Sequence, residues 1–325
     1  GPVICARGAS DDKGQLMTFI NACEAFVKTD GKLPCKISLL IEGEEETGSP
    51  SLERFLELNK QHLKADHALV CDTGMWNAQT PAISTMLRGM LGEEVNIKAA
   101  NKDLHSGLYG GAAVNPIREL ARLITSLHDA NGRVTINNFY KGVHELPKEI
   151  INQWSNLDFS VKDFLGGVGL KTSSGERPYS ILEQIWGRPT CEINGIWGGY
   201  TANGFKTVIP SEANTKVSFR LVGDQDPEEI RLEFRRHIRN KLHKDCNVNF
   251  FARDGSRAIS VSLNSSIIKS AEKALSDEWG VKPVFVGCGG SIPVVGSFKE
   301  TLGIDTLLVG FSLDDDLIHS PNEKY

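Results

Sequence analysis

In the first ninety positions, segments with apolar residues at helical intervals alternate with short continuous apolar runs. Residues 14–28 carry apolar side chains at three- and four-residue intervals, which predicts a helix, and residues 51–63 repeat this spacing. The runs KISLLIEG and HALVCD are short, continuous and apolar, which is typical of strands buried on both faces. This succession of helices and strands predicts a mainly parallel sheet with helices on both faces.

The pattern changes near residue 88. RGMLGEEVNIKAANKD predicts a longer, half-exposed strand, and residues 115–128 predict an amphipathic helix. KTVIPSEANTKVSFRLV then predicts two strands joined by a turn with Pro, followed by a charged helix over 227–242 and a strand in CNVNFFARD. From about residue 264 the first rhythm resumes, with strands in PVFVG and DTLLVGF. We therefore predict an α/β catalytic domain (1–87 and 256–325) interrupted by an inserted α+β sandwich (88–255).

Composition narrows the class of protein. The 325 residues suffice for two domains, and a net charge of −5 without a dense basic run argues against a nucleic-acid partner. No apolar stretch reaches the roughly 18 residues of a membrane span. The seven cysteines form no C-x-x-C pair, which favours a reducing cytoplasm over a disulfide framework.

Acidic residues gather where predicted strands end. They are Asp11 and Asp12 in GASDDKG, Glu44, Glu45 and Glu46 in GEEETGS, Asp72 in VCDTG, and Asp314, Asp315 and Asp316 shortly before His319. Ligands of open α/β sheets bind at those strand ends, and clustered carboxylates are unfavourable unless a cation neutralises them. Carboxylates with His, without paired Cys, suit zinc, manganese or cobalt. Any one of these acids alone is typical of a helix cap or turn, so the metal hypothesis depends on their joint arrangement.

Six motifs occur in an order that identifies a family. With GASDDKG, GEEETGS, LHSGLYGG, GFKTVIP, GGSIP and HSPNEK, the sequence resembles the co-catalytic zinc peptidases that include carnosine dipeptidase, carboxypeptidase G, aminoacylase and succinyl-diaminopimelate desuccinylase. Its motifs are most similar to those of the dipeptidase branch. The resemblance implies hydrolysis of the amide bond of a small peptide with two divalent metal ions, zinc in the first place and manganese or cobalt as alternatives.

The resemblance also implies roles for the acidic residues. Asp11 would bridge the two metals, Glu46 and His319 would complete one site, and Asp72 would bind the other metal. Glu45 would be the general base that takes a proton from water and passes it to the leaving amine.

For the inserted domain, the resemblance implies a role in a homodimer. His105 in DLHSGLYGG would reach the partner subunit's active site and stabilise the oxyanion. Arg220 would clamp the terminal carboxylate of the substrate, with Thr207 and Ser291 nearby. Without the resemblance, His105 is typical of a surface loop and Arg220 of a solvated strand.

Other interpretations of the sequence remain open at this point. The family's second site also takes a His from an upstream His-x-Asp segment, and the ten residues before Asp11 contain no His, so we expect one site to lack a ligand in this sequence. Asp72-Thr73-Gly74 matches the short motif of aspartic proteases. A non-catalytic relative that keeps the fold, and an N-acyl or N-succinyl amino acid deacylase with the same chemistry, are further alternatives.

Overall fold

The computed structural model describes residues 3–290 and 292–325. It divides into two compact units. Unit 1 comprises Gly1–Leu87, Ser260–Cys288 and Ile292–Tyr325, and unit 2 comprises Arg88–Ile259 and Gly289–Ser291. Within the described residues, no helix combines the length and apolarity that crossing a membrane requires.

Helices and strands alternate along the chain. The helices are α1 (Gln15–Asp30), α2 (Leu52–Asn59), α3 (Ser106–Tyr109), α4 (Pro116–Thr125), α5 (Lys148–Ser155), α6 (Val161–Gly166), α7 (Pro227–Lys241), α8 (Ser266–Trp279) and α9 (Pro293–Ser297). The strands are β1 (His67–Val70), β2 (Ala82–Leu87), β3 (Gly89–Lys98), β4 (Leu104–His105), β5 (Thr190–Gly198), β6 (Val208–Ile209), β7 (Glu212–Leu221), β8 (Asn247–Ala252), β9 (Ile259–Ser260), β10 (Val284–Cys288) and β11 (Asp305–Leu308).

Unit 1 contains a mixed sheet in which parallel pairing dominates. Its strand order is β1-β11-β2-β10, where β1 runs parallel to β11, β10 runs parallel to β2, and β11 meets β2 in antiparallel fashion. Ile83 and Leu307 from the sheet pack with Ile268 and Leu275 of α8 in a buried cluster. The predicted α/β class is therefore confirmed, and the carboxyl ends of β1 and β11 lie side by side.

Two strand predictions in unit 1 need correction. KISLLIEG forms none of the described strands and pairs with none of them. Its Leu39 and Ile41 side chains remain 58% and 65% exposed. HALVCD does form β1, but this strand lies at an edge of the described sheet and Leu69 is half exposed. A continuous apolar run predicts burial only when neighbours exist on both sides, and periodicity cannot supply that information.

Unit 2 is an antiparallel sheet covered by helices. The strand order is β5-β7-β3-β8, and Leu120 and Leu123 of α4 and Phe234 of α7 pack on the sheet in one large apolar cluster. Both helices begin with an Asx cap followed by Pro: Asn115 caps α4 and Asp226 caps α7 through bonds to backbone N–H groups. This arrangement is the predicted α+β sandwich.

The central strand of unit 2 differs from its prediction. β3 was expected to be half exposed, but it pairs with β7 and β8 on its two edges and most of its residues are buried. Glu93 is one of the buried residues of β3, and Arg231 and Arg235 compensate its charge. Part of the polar pattern that suggested an exposed face, Glu93 above all, is therefore paired inside the unit. The segment over 140–190, which has no clear period, contains the short helices α5 and α6.

Candidate metal centre

Asp11 lies in a tight turn that leads directly into α1. The turn spans Ala9–Gly14, its Asp11–Asp12 peptide is cis, and Ser10 within it is fully buried. Glu46 lies in a short 3-10 turn, Glu45–Thr47, and His319 lies in the loop that follows β11. Three separate loops of unit 1 thus supply these side chains.

The structure brings Asp11, Glu46 and His319 together. One ligand atom from each lies within 4.8 Å of the others, and no further His, Cys, Asp or Glu among the described residues joins a group of this kind. His319 Nε2 is 3.0 Å from Asp11 Oδ2 and 3.5 Å from Glu46 Oε1. The Asp11 carboxylate is mostly buried, while the other two side chains remain accessible.

This donor set fits a divalent cation. Nitrogen and oxygen ligands about 2.0–2.2 Å from zinc in a tetrahedral arrangement lie about 3.3–3.6 Å apart. The two distances from His319 Nε2 are close to that range. Two carboxylates and one imidazole also match the ligand preference of zinc and manganese.

The surrounding carboxylates shift one another's pKa values. Burial, and then the charge of Glu46, raises the pKa of Asp11. Burial also raises the pKa of Glu45, again with a contribution from Glu46. Asp72, which follows β1, has its pKa raised to about 7 by burial and then by the charges of Asp11 and Asp12. Such mutual repulsion is typical of a site that a cation stabilises.

Asp72 is outside the three-residue cluster. The structure places it at the end of β1 in the same unit, and its carboxylate is coupled to Asp11, Glu45 and Glu46 only through charge. Next to it, the Cys71 thiol donates to Asp12 Oδ2 at 3.3 Å. Asp72 therefore faces the acidic region without meeting the ligand atoms of the cluster.

Several acids in the predicted group have other contacts. Glu44 accepts a bond from the Ser51 N–H, which makes it a turn cap. Asp315 pairs with Lys324, and buried Asp316 accepts a bond from the Ser10 hydroxyl. Asp315 and Asp316 thus have partners near the loop of His319, and neither joins the ligand cluster.

Two residues that sequence analysis did not single out complete the surroundings. Glu323 is fully buried and accepts the backbone N–H groups of Ser10, Asp11 and His319. Burial alone would raise its pKa, but these hydrogen bonds outweigh burial and hold the pKa below its usual value. Arg7 donates to Glu46 Oε1 at 3.1 Å. The signal for Glu323 was present, because it is the Glu of HSPNEK.

Unit 2 holds the residues predicted to meet the substrate. His105 in β4 pairs with Val208 in β6, and the Ser106 N–H donates to the Thr207 carbonyl at 2.9 Å. His105 Nδ1 accepts the Gly107 N–H at 3.0 Å, so the proton of the neutral imidazole lies on Nε2. His105 and Thr207 are therefore both exposed and close in the backbone, with Thr207 directly before β6, and His105 presents a hydrogen-bond donor.

Arg220 lies elsewhere in the same unit. It alternates with buried Phe219 and Leu221 on β7, and it forms no ion pair with any residue that the structure describes. Its guanidinium is thus available to an external carboxylate. Ser291 lies outside the described residues.

An α/β unit whose loops bring two carboxylates and an imidazole together is typical of a metal-binding protein. Residues 85–246 match the family model described as "Peptidase dimerisation domain". The chain is 32% identical to the Cys-Gly metallodipeptidase DUG1 of Candida albicans, across 99% of this chain and 67% of that protein. It is 29% identical to the Beta-Ala-His dipeptidase of Homo sapiens, across 98% of this chain and 64% of that protein.

Solved structures give the same assignment. An M20 family metallo-carboxypeptidase from Sulfolobus solfataricus has a TM-score of 0.85 relative to this chain. The two are 32% identical across 99% of this chain and 73% of the other. The di-peptidase Dug1p from Saccharomyces cerevisiae has a TM-score of 0.79 at 29% identity, across 99% and 68%. The chain belongs to the M20 peptidase family. The aspartic protease alternative is therefore wrong. The chain spans about two thirds of the length of the dipeptidase relatives.

Proposed function

We propose that this protein is a metallodipeptidase in which Asp11, Glu46 and His319 hold a divalent cation, zinc in the first place. The observation that carries the proposal is the convergence of these three ligand atoms within 4.8 Å. The relatives named as dipeptidases support a dipeptide as the substrate. Once bound, a cation in this site would polarise the scissile carbonyl and lower the pKa of the attacking water.

A second cation would be held by Asp72, with Asp11 shared between the two sites. This part of the proposal is supported by the coupling of Asp72 to Asp11 through charge. A cation beside Asp72 would offset both the burial and the repulsion that raise its pKa.

We assign Glu45 as the general base. It is the immediate neighbour of the ligand Glu46, so one carboxylate holds the cation while the next one can reach the water. The pKa of Glu45 is raised by burial and by Glu46, which strengthens the carboxylate as a proton acceptor near neutral pH. Glu45 then passes the proton to the leaving amine.

We assign His105 as the donor that stabilises the oxyanion in the active site of the partner subunit of a homodimer. Its Nε2–H is available because Nδ1 accepts the Gly107 N–H. The match to a peptidase dimerisation domain over residues 85–246 supports assembly through the inserted unit. A positioned donor of this kind contributes about 3–4 kcal/mol to transition-state stabilisation.

The substrate's terminal carboxylate would be bound by Arg220, with the Thr207 and Ser291 hydroxyls as further contacts. The guanidinium of Arg220 is free of described acidic partners and can bind a carboxylate in bidentate fashion.

All seven cysteines are free thiols, which supports our proposal of a reducing cytoplasm.

The decisive experiment measures hydrolysis of Cys-Gly, β-Ala-His and N-acyl or N-succinyl amino acids before and after chelation. We expect dipeptide cleavage that is lost with chelator and restored by zinc, manganese or cobalt. Preferential cleavage of the acylated amino acids would instead favour the deacylase alternative. No cleavage of any substrate by metal-loaded protein would favour the non-catalytic relative.

Glu45→Gln tests the assignment of the base. Because the amide cannot accept the proton, we expect turnover to fall by about 10²–10⁴-fold while metal content stays at the wild-type level. Glu57→Gln, an exposed change on α2, is the matched control. Wild-type turnover in Glu45→Gln would remove Glu45 from the mechanism.

A further inference from the structure

Glu323 is a fully buried carboxylate whose hydrogen bonds reach the loops of two candidate ligands. Its Oε2 accepts the N–H groups of Ser10 at 3.2 Å and Asp11 at 3.1 Å, and its Oε1 accepts the His319 N–H at 3.0 Å. Asp11 and Glu323 are 312 positions apart in the sequence. A single buried carboxylate therefore joins the two backbone segments directly, in addition to the hydrogen bond from the Ser10 hydroxyl to Asp316.

A short backbone pairing sets the direction of this side chain. Cys5 and Lys324 form an antiparallel bridge, and the Ala6 N–H donates to the Glu323 carbonyl at 2.9 Å. Because side chains alternate along an extended segment, Lys324 points outward to Asp315 while Glu323 points beneath the Asp11 turn. The carboxylate is thus held from its own backbone as well as by its three donors.

The loop of His319 needs such an anchor. His319 and Leu317 have φ values of 68° and 57°, in the left-handed region that is unfavourable for a residue with a side chain. The bond from the His319 N–H to Glu323 is made in this conformation and helps to offset that cost. Without it, the imidazole would lose its defined approach to Asp11.

The third ligand is connected to the same carboxylate through Arg7. The Arg7 guanidinium contacts Glu46 Oε1 at 3.1 Å and Glu323 Oε1 at 3.7 Å. It compensates part of the negative charge of the buried group, which a buried carboxylate requires. Each of the three ligands is therefore linked to Glu323, either directly through the backbone or through one guanidinium.

We propose that Glu323 is a positioning residue that sets the geometry of the cation site by tying the Asp11 turn to the His319 loop. The inference rests on the proposed metal site and extends it to a residue that contributes no ligand atom. A carboxylate is required because both of its oxygens must accept backbone N–H groups. In Glu323→Gln an NH₂ group replaces one of the two carboxylate oxygens. This NH₂ group is a donor and would face a backbone N–H, which is also a donor.

The test titrates Co²⁺ into the full chain and follows the visible absorption of the bound ion, which reports affinity and ligand geometry. We expect Glu323→Gln to bind Co²⁺ about 10–100-fold more weakly and with a changed spectrum, as is typical of residues that orient metal ligands. Glu57→Gln makes the same chemical change on an exposed helix and should match the wild type. Urea unfolding of the metal-free proteins shows whether each variant is folded at the start.

The outcomes separate the inference from the proposed function. A wild-type chain that binds no Co²⁺ would overturn the metal site itself. Wild-type binding together with equal affinity and spectrum in Glu323→Gln would overturn the positioning role, even if that variant unfolds at lower urea. If Glu323→Gln does not fold, Glu323→Asp keeps the charge but is too short to reach both loops; weakened binding supports the inference, and unchanged binding contradicts it.

Discussion

Glu93 in unit 2 and Glu323 in unit 1 both have fully buried carboxylates, and the two carboxylates have different partners. Glu93 in unit 2 is neutralised by Arg231 and by Arg235, whose Nε and Nη2 atoms donate to it at 2.9 Å. Glu323 in unit 1 is held mainly by backbone N–H groups, with one guanidinium at 3.7 Å.

This difference separates two uses of a buried charge. The Glu93 cluster joins the central strand β3 to α7, so its bonds connect elements of a scaffold. The bonds of Glu323 connect two loops that carry metal-ligand candidates. Burial alone therefore does not indicate whether a charged residue supports the fold or the site; the identity of its donors does.

The largest expected effect comes from removing the charge of Glu93. Glu93→Gln leaves two guanidiniums without a full counter-charge inside unit 2, and breaking a buried pair of this kind typically costs about 3–5 kcal/mol. We expect the free energy of unfolding, measured in urea, to fall by that order. Glu94→Gln on the opposite face of β3 is the matched control and should change it little.

The same variant also tests whether the two buried carboxylates have separate roles. Folded Glu93→Gln should bind Co²⁺ with wild-type affinity, because Glu93 has no contact with the ligand loops. Weaker Co²⁺ binding in this variant would contradict the division of roles between Glu93 and Glu323.

The next effect tests whether unit 2 also supplies a catalytic donor. His105→Ala should lower kcat/KM for a dipeptide by about 10²–10³-fold, because it removes one oxyanion donor. Mixing it with Glu45→Gln should restore up to about a quarter of the wild-type activity, since hybrid dimers contain one competent site each.

A control mixture fixes the interpretation of that recovery. His105→Ala mixed with the double variant Glu45→Gln/His105→Ala forms dimers without any intact His105 and should stay inactive. If the first mixture is as inactive as this control, His105 does not act across a dimer.

The smallest effect concerns the repulsion within the ligand cluster. Asp11→Asn removes one of two carboxylates that lie within 4.8 Å of each other, and like charges at that distance repel by about 1 kcal/mol even in bulk water. We therefore expect the metal-free variant, measured in chelator, to be slightly more stable than the wild type and to lose tight Co²⁺ binding.

The pH dependence of that gain follows from the pKa of Asp11, which burial and then Glu46 raise above 3.8. A carboxyl with a raised pKa binds its proton more tightly in the folded state, so its ionised form destabilises the fold at neutral pH. The gain from Asp11→Asn should be present at pH 7 and disappear as the pH falls towards 3.8. A stability difference that does not change with pH would show that the repulsion is absent.

Two helices and several strands of unit 2, and the family, could be predicted from the sequence. Asn115-Pro116 and Asp226-Pro227 predict the starts of α4 and α7, and alternation over Val217 to Leu221 predicts the buried face of β7. The motifs around Asp11, Glu46 and His319 also predicted the donor types that meet in the structure. These features are local, because caps and side-chain alternation depend on neighbouring residues.

Other features depend on contacts between distant segments. KISLLIEG has the pattern of a strand, but pairing requires a neighbour that this pattern cannot specify. HSPNEK marked His319, yet only the antiparallel bridge of Cys5 with Lys324 turns Glu323 beneath the Asp11 turn.

Residue spacing therefore predicted several helices and strands, and the six motifs predicted the class of chemistry and the donor types, because both signals are present in the sequence itself. The tertiary structure decided which acids converge. Asp11 and Glu46 meet His319, Glu44 caps a turn, and Asp316 supports Ser10. The physical reason is that coordination requires atoms a few ångströms apart, and only the folded chain brings three distant loops to that separation.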